Sequence, residues 1–336
     1  MKRLFVFFLA LALLFCIVSC AVNFKQSHTF FALDTYCTVT AWGVEESALR
    51  ELESLTLSYA QLWSPTAEDA LLAKLNSGAV TTADEETLFL LETASQVNGL
   101  SDGAFDVTVG ALVEAYGYYD DDYRVPSEEE LEVLLQPVDG SSLVSGKSVT
   151  LKEGQVLDLG GIAKGRIADL CAAKLKSLGA RGAILSFGGN VCAFGTKTDG
   201  SLFTVALADP QNTSEYLGTL QVTDASLVTA GSYQRGFEQD GVYYHHILDP
   251  KTGRPANSGL LSATVMATDG AYADALSTAC FVLGREGALA LWQEAGNFEL
   301  ILVEEDGNVV CTQGLEGNFT AEDHSVEFVK KNPKNA

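Results

Sequence analysis

The chain has 336 residues, nearly half of them apolar, which is enough for a large buried core. Acidic residues number 44 against 21 basic ones, a net charge of −23. No basic footprint for a duplex exists, so nucleic acid is not expected as a partner. An anionic ligand would need a local device, such as a bound cation, to overcome the field of the whole chain.

The first twenty residues, MKRLFVFFLALALLFCIVSC, read as an export signal: Lys2 and Arg3 lead a short apolar run from Leu4 to Phe15. That run is too short, with the wrong flanks, for a spanning helix. Ile17-Val18-Ser19-Cys20 resembles the bacterial lipobox, whose cysteine is lipidated and becomes the mature N-terminus. An ordinary secretory signal beside a chance cysteine is the alternative. The expectation is a signal over 1–19, a lipidated tether over 20–30 and a lipid anchor at Cys20. The protein would then sit on the extracytoplasmic side of a bacterial cell membrane. Five further cysteines are scattered without zinc spacing, mostly in apolar runs, as small buried hydrophobes are.

TYCTVTAWG alternates like a strand, and EESALRELESLTLSYAQLW and ADEETLFLLETASQVN read as amphipathic helices. SEEELEVLLQ is a third helix with Ser127 as N-cap. Short paired strands follow, then a helix from Ile162 that ends at Gly179. AILSFGG, FTVALAD, YLGTLQV and ASLVTAG are short strands, and FEQDGVYYHHILDPKTGRP is a hairpin around Asp240-Gly241. A strand, GLLSATVMA, precedes two helices, GAYADALSTACFVLG and REGALALWQEAG, and a last hairpin. Strands pair mostly as hairpins, which predicts an α+β fold of mixed, mostly antiparallel sheets packed with helices. No linker interrupts residues 31–328, so one integrated domain is expected, with a polar tail over 329–336.

Four constellations carry chemistry. In DLGGIAKG, Gly160 and Gly161 let backbone approach a ligand, and the following helix N-terminus favours an anion. A tight structural turn would use the same glycines. In YADALSTA, Asp274 and Thr278 share a helix face and offer hard oxygen donors suited to magnesium or calcium. A solvated aspartate and a threonine bonded back to a carbonyl is the structural alternative. In YYHHILDP the two histidines face opposite sides of a strand, so one at most serves a site. In SDGAFDVTVGALVEAYGYYD, Asp106 could accept from a heterocycle among aromatic rings, or could simply cap a turn.

Taken in order, DTYCTVTAWG, LAKLNSG, SDGAFDVTVGALV, LDLGGIAKGRIAD, ILSFGGN, TAGSYQRGFEQDGVYYHHILDPKTGRPA and LLSATVMATDGAYADALSTACFVLG resemble the ApbE/Ftp family of FAD:protein FMN transferases. The resemblance runs from about Phe31 to about Val303 and implies an ApbE-like fold related to the T-fold. It implies magnesium-dependent transfer of FMN from FAD to a threonine or serine hydroxyl of an acceptor protein, with AMP leaving. Exported or membrane redox proteins would be the acceptors. The metal would be held by Asp274, Thr278 and the backbone oxygen of Ala163. Leu33, Thr66, Ala104, Phe105, Asp106, Gly160, Gly161 and Arg166 would lie at the FAD, and His246 and Asp274 would act in transfer. Thr66 stands where the family often has tyrosine, and Leu33 where it usually has methionine. A metal-dependent FAD pyrophosphatase and a non-catalytic FAD-binding lipoprotein are the competing readings.

Overall fold

A computed structural model describes residues 24–332; the export signal and Cys20 lie outside them. Strand β1 (Lys25–Ala32) pairs with β2 (Thr35–Trp42) across a two-residue turn. Residues 25–30, expected in a tether, thus lie in a strand of the domain. Their alternation is masked in sequence because only two of the four inward positions, Phe30 and Ala32, are apolar. His28, also inward, is satisfied by Glu53 at 2.7 Å.

Helix α1 (Glu46–Leu62) lies along β1, and the short α2 (Leu71–Asn76) follows it. Helix α3 (Glu85–Leu100) starts at Asp84, whose carboxylate accepts from the N–H groups of Glu86 and Thr87. Helices α4 (Gly110–Ala115) and α5 (Glu128–Leu135) come next, with Ser127 Oγ accepting from Glu130 N as the sequence indicates. The paired strands β3 (Val144–Ser145) and β4 (Ser148–Val149) are only two residues each. Helix α6 (Ala163–Ser177) leads to β5 (Gly182–Phe187) and β6 (Asn190–Gly195).

Strands β7 (Phe203–Ala208), β8 (Tyr216–Val222) and β9 (Ala225–Gly231) precede the hairpin β10 (Gly236–Gln239) and β11 (Val242–His245). Asp240 and Gly241 have φ of 55° and 77°, the turn that Asp-Gly selects. Strand β12 (Leu260–Ala267) runs into helix α7 (Gly270–Ala295), broken at Gly284, where φ is 69°. The two helices read from sequence are thus the two arms of α7. Strands β13 (Glu299–Glu304), β14 (Val309–Thr312), β15 (Thr320–Ala321) and β16 (Val326–Val329) follow, and beyond them the backbone of Lys331 and Asn332, expected in a polar tail, still bonds Gln313 and Gln293.

Nine strands form the central sheet in the order β1-β2-β5-β6-β9-β12-β13-β14-β16, antiparallel except for β14–β16. One face buries the main core beneath α1, α3, α6 and α7, and the smaller sheet β15-β8-β7 covers part of the other. The fold is α+β with mostly antiparallel pairing, in one domain. Cys37, Cys171, Cys192, Cys280 and Cys311 are free and buried.

Helices α6 and α7 approach so closely that a Cβ on Gly165 would overlap the Gly270 carbonyl oxygen. Gly165→Ala should therefore destabilise the protein by about 3 kcal/mol, read as a lower urea midpoint. A loss under about 1 kcal/mol would mean that the helices separate without penalty.

Candidate active site

The crossing of α6 and α7 arranges the site. Gly165 N–H donates to Asp274 Oδ2 at 2.8 Å, and Gly270 N–H donates to Asp169 Oδ2 at 2.7 Å. Each helix start is thus capped by a carboxylate from the other, an anion placed where the free N–H groups and the dipole favour one. The anion at the start of α6 is the chain's own Asp274. Burial pushes the Asp274 carboxyl above its ordinary range, opposed by Lys164, the Gly165 N–H and the Asn190 amide. Burial and the neighbouring Asp269 push Asp169 up to about 7.

The Thr278 hydroxyl, one turn beyond Asp274, makes no hydrogen bond among the described residues, whereas Ser277 Oγ donates back to Asp274 O. The expected structural alternative, a threonine tied to its own helix, is therefore realised by Ser277 and not by Thr278. A Cβ on Gly161 would lie 3.5 Å from Thr278 Oγ1 and 3.0 Å from Phe105 Cε2. The glycine loop, the Gly-Ala-Phe-Asp segment and the Asp274 helix meet at this point. Ala163 opens α6 two residues before Gly165, so its carbonyl comes from the same turn of backbone. Carboxylate, hydroxyl and carbonyl form a hard-oxygen set that fits magnesium. No group of three His, Cys, Asp or Glu side chains with metal-holding geometry occurs among the described residues, so a softer, histidine- or thiolate-based site is not offered.

The glycine loop is held from behind. Gly160 N–H donates to Asp158 Oδ1 at 2.8 Å, and Asp158 Oδ2 accepts from Tyr119 OH at 2.8 Å. That N–H is therefore engaged within the chain, and Gly160 contributes shape, not a free donor. Asn76 clamps the backbone of Leu157 through both amide atoms, at 2.8 and 3.0 Å, the role of its motif LAKLNSG. Ala104 and Phe105 are buried beside the loop. Asp106 corrects the expectation of a ring-facing acceptor. Its Oδ1 accepts from Thr108 N and Oγ1, and its Oδ2 from Asn98 Nδ2 and Gly140 N. Four donors saturate the carboxylate, which fixes this segment from within.

The histidines divide as strand geometry requires. His245 is structural: Nε2 bonds Ala256 O at 3.0 Å, and Nδ1 accepts from Ile247 N. His246 Nδ1 lies 3.1 Å from Arg235 O, and a carbonyl can only accept, so the proton sits on Nδ1 and Nε2 keeps a lone pair. Burial pushes His246 down to about 4, with Lys164 and Arg235 adding to the effect. Lys164 acts electrostatically on both His246 and Asp274.

Other expected residues lie at the margin. Leu33 sits at the tip of the β1–β2 hairpin with φ of 55°, a strained position for a branched side chain, and packs on the core. Next to it, Thr35 packs on Gly188, where a Cβ would lie 2.6 Å from Thr35 Cγ2. Gly188-Gly189 leads to Asn190, whose buried Nδ2 has no partner at hydrogen-bonding geometry among the described residues but stands near Asp274. In the sequence this segment is the block ILSFGGN of the family resemblance. Arg166 turns away: its Nε and Nη2 bond Glu86, and its guanidinium lies 4.0 Å from the Phe89 ring centroid. Thr66 is exposed in the loop after α1 and bonds only Ser64.

The profile of the ApbE family matches residues 33–302. The chain belongs to the ApbE family. Every segment of the site lies within that match, from Leu33 at the hairpin tip to the Asp274 helix. The FAD:protein FMN transferase of Treponema pallidum is 33% identical over 317 residues, covering 87% of this chain and 88% of that protein. A Klebsiella pneumoniae FAD:protein FMN transferase is 28% identical over 315 residues, covering 91% and 98%. The ApbE protein of Thermotoga maritima superposes with a TM-score of 0.81 at 30% identity, over 88% of this chain and 99% of that one. The flavin transferase ApbE of Vibrio cholerae gives 0.77 at 26% identity over the same shares.

A carboxyl whose pKa is raised by folding contributes stability that is complete below its unfolded value and lost as pH climbs through the folded one. For Asp169 that window runs from about 4 to about 7. Asp169→Asn should therefore gain thermal stability relative to the parent chain as pH rises from 5 to 7.5. A constant difference across that range would contradict the assignment.

Proposed function

We propose that this ApbE-family protein transfers FMN from FAD to a hydroxyl of an acceptor protein, releasing AMP. The observation that carries the reading is the meeting of the glycine loop, Phe105 and the unbonded Thr278 hydroxyl one turn from the buried Asp274, with His246 Nδ1 tied to Arg235 O so that Nε2 keeps a lone pair. Asp274, Thr278 and the Ala163 carbonyl would hold magnesium, which supplies charge neutralisation for the pyrophosphate and the departing AMP. The segment Ala104–Phe105 and the glycine loop form the wall against which the flavin nucleotide would lie.

In the transfer, the acceptor hydroxyl oxygen attacks the phosphorus on the FMN side of the pyrophosphate, and the bond from that phosphorus to the AMP oxygen breaks. The hydroxyl proton passes to His246 Nε2. Arg235 O holds the Nδ1 proton and stabilises the imidazolium that results. A threonine or serine hydroxyl is a weak nucleophile, so this proton acceptor is required for the step. The family relatives named as FAD:protein FMN transferases support the reaction class. We also propose a lipid anchor at Cys20 on the extracytoplasmic side of the membrane, supported by the lipobox-like run before it, with exported or membrane redox proteins as acceptors.

Incubation with FAD, magnesium and a threonine-bearing acceptor domain should yield a fluorescent protein adduct and one AMP per flavin attached. AMP release at the same rate without acceptor would replace transfer by hydrolysis. Because His246 charges only near pH 4, the acid limb of the transfer rate should lie near there, below the ordinary histidine range. A limb centred near 6.5 would mean that another group is titrating.

Asp274→Asn and Thr278→Ala should abolish the magnesium-induced rise in thermal midpoint while leaving the apo midpoint within about 4 °C. A larger apo loss would assign these side chains to the fold. Cys20→Ala should move the protein from the membrane fraction to the soluble one. Unchanged fractionation would refute the anchor.

A further inference from the structure

We propose that the free edge of β1, together with the exposed aromatic pair Phe31 and Tyr36, is the surface on which the acceptor protein docks. It does so by adding an extended, weakly charged segment to the nine-stranded sheet. The inference rests on the flavin-transfer reading and adds the place and manner in which the protein substrate is held.

Strand β1 is one end of the central sheet. The two-residue turn at Leu33-Asp34 makes Ala32 and Thr35 the closing hydrogen-bonded pair. Alternation along the strand then sends the N–H and C=O groups of Ser27, Thr29 and Phe31 away from β2. None of these groups has a hydrogen-bond partner among the described residues. Natural edges are usually blunted by charge, proline or a covering element. The other end of the sheet follows that rule, since β16 carries Glu327, paired with Arg285, and runs into Lys330 and Lys331. Strand β1 does not. After Lys25 its only titratable side chain is His28, which turns inward to Glu53.

At the site end of this edge, Phe31 and Tyr36 stand directly opposite each other, 62% and 73% exposed, with ring centroids 5.6 Å apart. Behind them, Thr29–Thr38 and Ser27–Thr40 hydroxyl pairs continue an uncharged surface, each at 3.0 Å. The surface is continuous with the site. Phe31 is two residues from Leu33, and Thr35 packs on Gly188 of the loop that ends at Asn190 beside Asp274. Cys37, next to Tyr36, lies in the field of Lys164. A segment paired with β1 would therefore reach the cleft where its hydroxyl is needed. Backbone pairing supplies affinity with little dependence on side chains, while the two rings select an apolar residue at the matching position.

The test uses the full chain and an exported redox-protein domain that the parent chain flavinylates. Thr29→Pro removes one outward N–H and leaves the β1–β2 ladder intact; Phe31→Ser with Tyr36→Ser removes the rings. Each variant should raise the KM for the acceptor about tenfold, with FAD affinity and kcat within twofold of the parent. Tyr216→Ser, removing a ring that is 61% exposed on β8 of the smaller sheet, should change nothing. An unchanged acceptor KM in both β1 variants would overturn the proposal. So would a parent dimer that Thr29→Pro converts to monomer without altering that KM, since the edge would then belong to a second copy. If the parent chain flavinylates no acceptor at all, the transfer reading itself fails.

Discussion

The site depends on one buried carboxyl at a helix crossing. Asp274 sits inside the protein, where an unpaired carboxylate is strongly disfavoured, and its nearest compensation is the exposed N–H end of α6. That end can reach Asp274 only because Gly165 and Gly270 have no side chains and the two helices touch backbone to backbone. The glycine loop before α6 and the carboxylate of α7 are therefore positioned by the same contact. A cation at this point would complete the compensation that Lys164 and the Gly165 N–H begin, in a chain whose net charge is −23.

A second assembly aims the histidine. Tyr123, Phe237 and Tyr244 form consecutive stacked pairs, with centroids 5.0 and 5.4 Å apart, and Arg235 Nη2 bonds Tyr118 O. The segment around Gly117–Tyr123 thus anchors the β10–β11 hairpin, whose Arg235 carbonyl orients His246. Tyr119 from the same segment holds Asp158 and, through it, Gly160. His246 and the glycine loop are thus aligned by one aromatic stretch, AYGYYDDDY. Mutations there would act on geometry at both places together.

Much of the fold was legible because its signals are local. Asp84 and Ser127 announce helix starts through their own side chains, Asp240-Gly241 selects its turn through positive φ, and Asp274 and Thr278 share a face by helical spacing. Strand β1 was not legible, because half of its inward positions are polar and acquire partners only in the folded state, as His28 does from Glu53. Asp106 was read as a ligand group because a carboxylate among aromatics looks the same in sequence whether its lone pairs are free or filled. Its four donors come from residues 98, 108 and 140.

The sequence by itself determined the family, most of the longer elements and the residues able to offer oxygen to a metal, since these follow from residue type and short spacing. Only the tertiary structure decided which of those groups are available. It committed Asp106, Arg166 and the Gly160 N–H to the chain, left the Thr278 hydroxyl unbonded, and engaged both ring nitrogens of His245 but only Nδ1 of His246. Availability depends on partners that arrive from distant parts of the chain, and no local pattern records them.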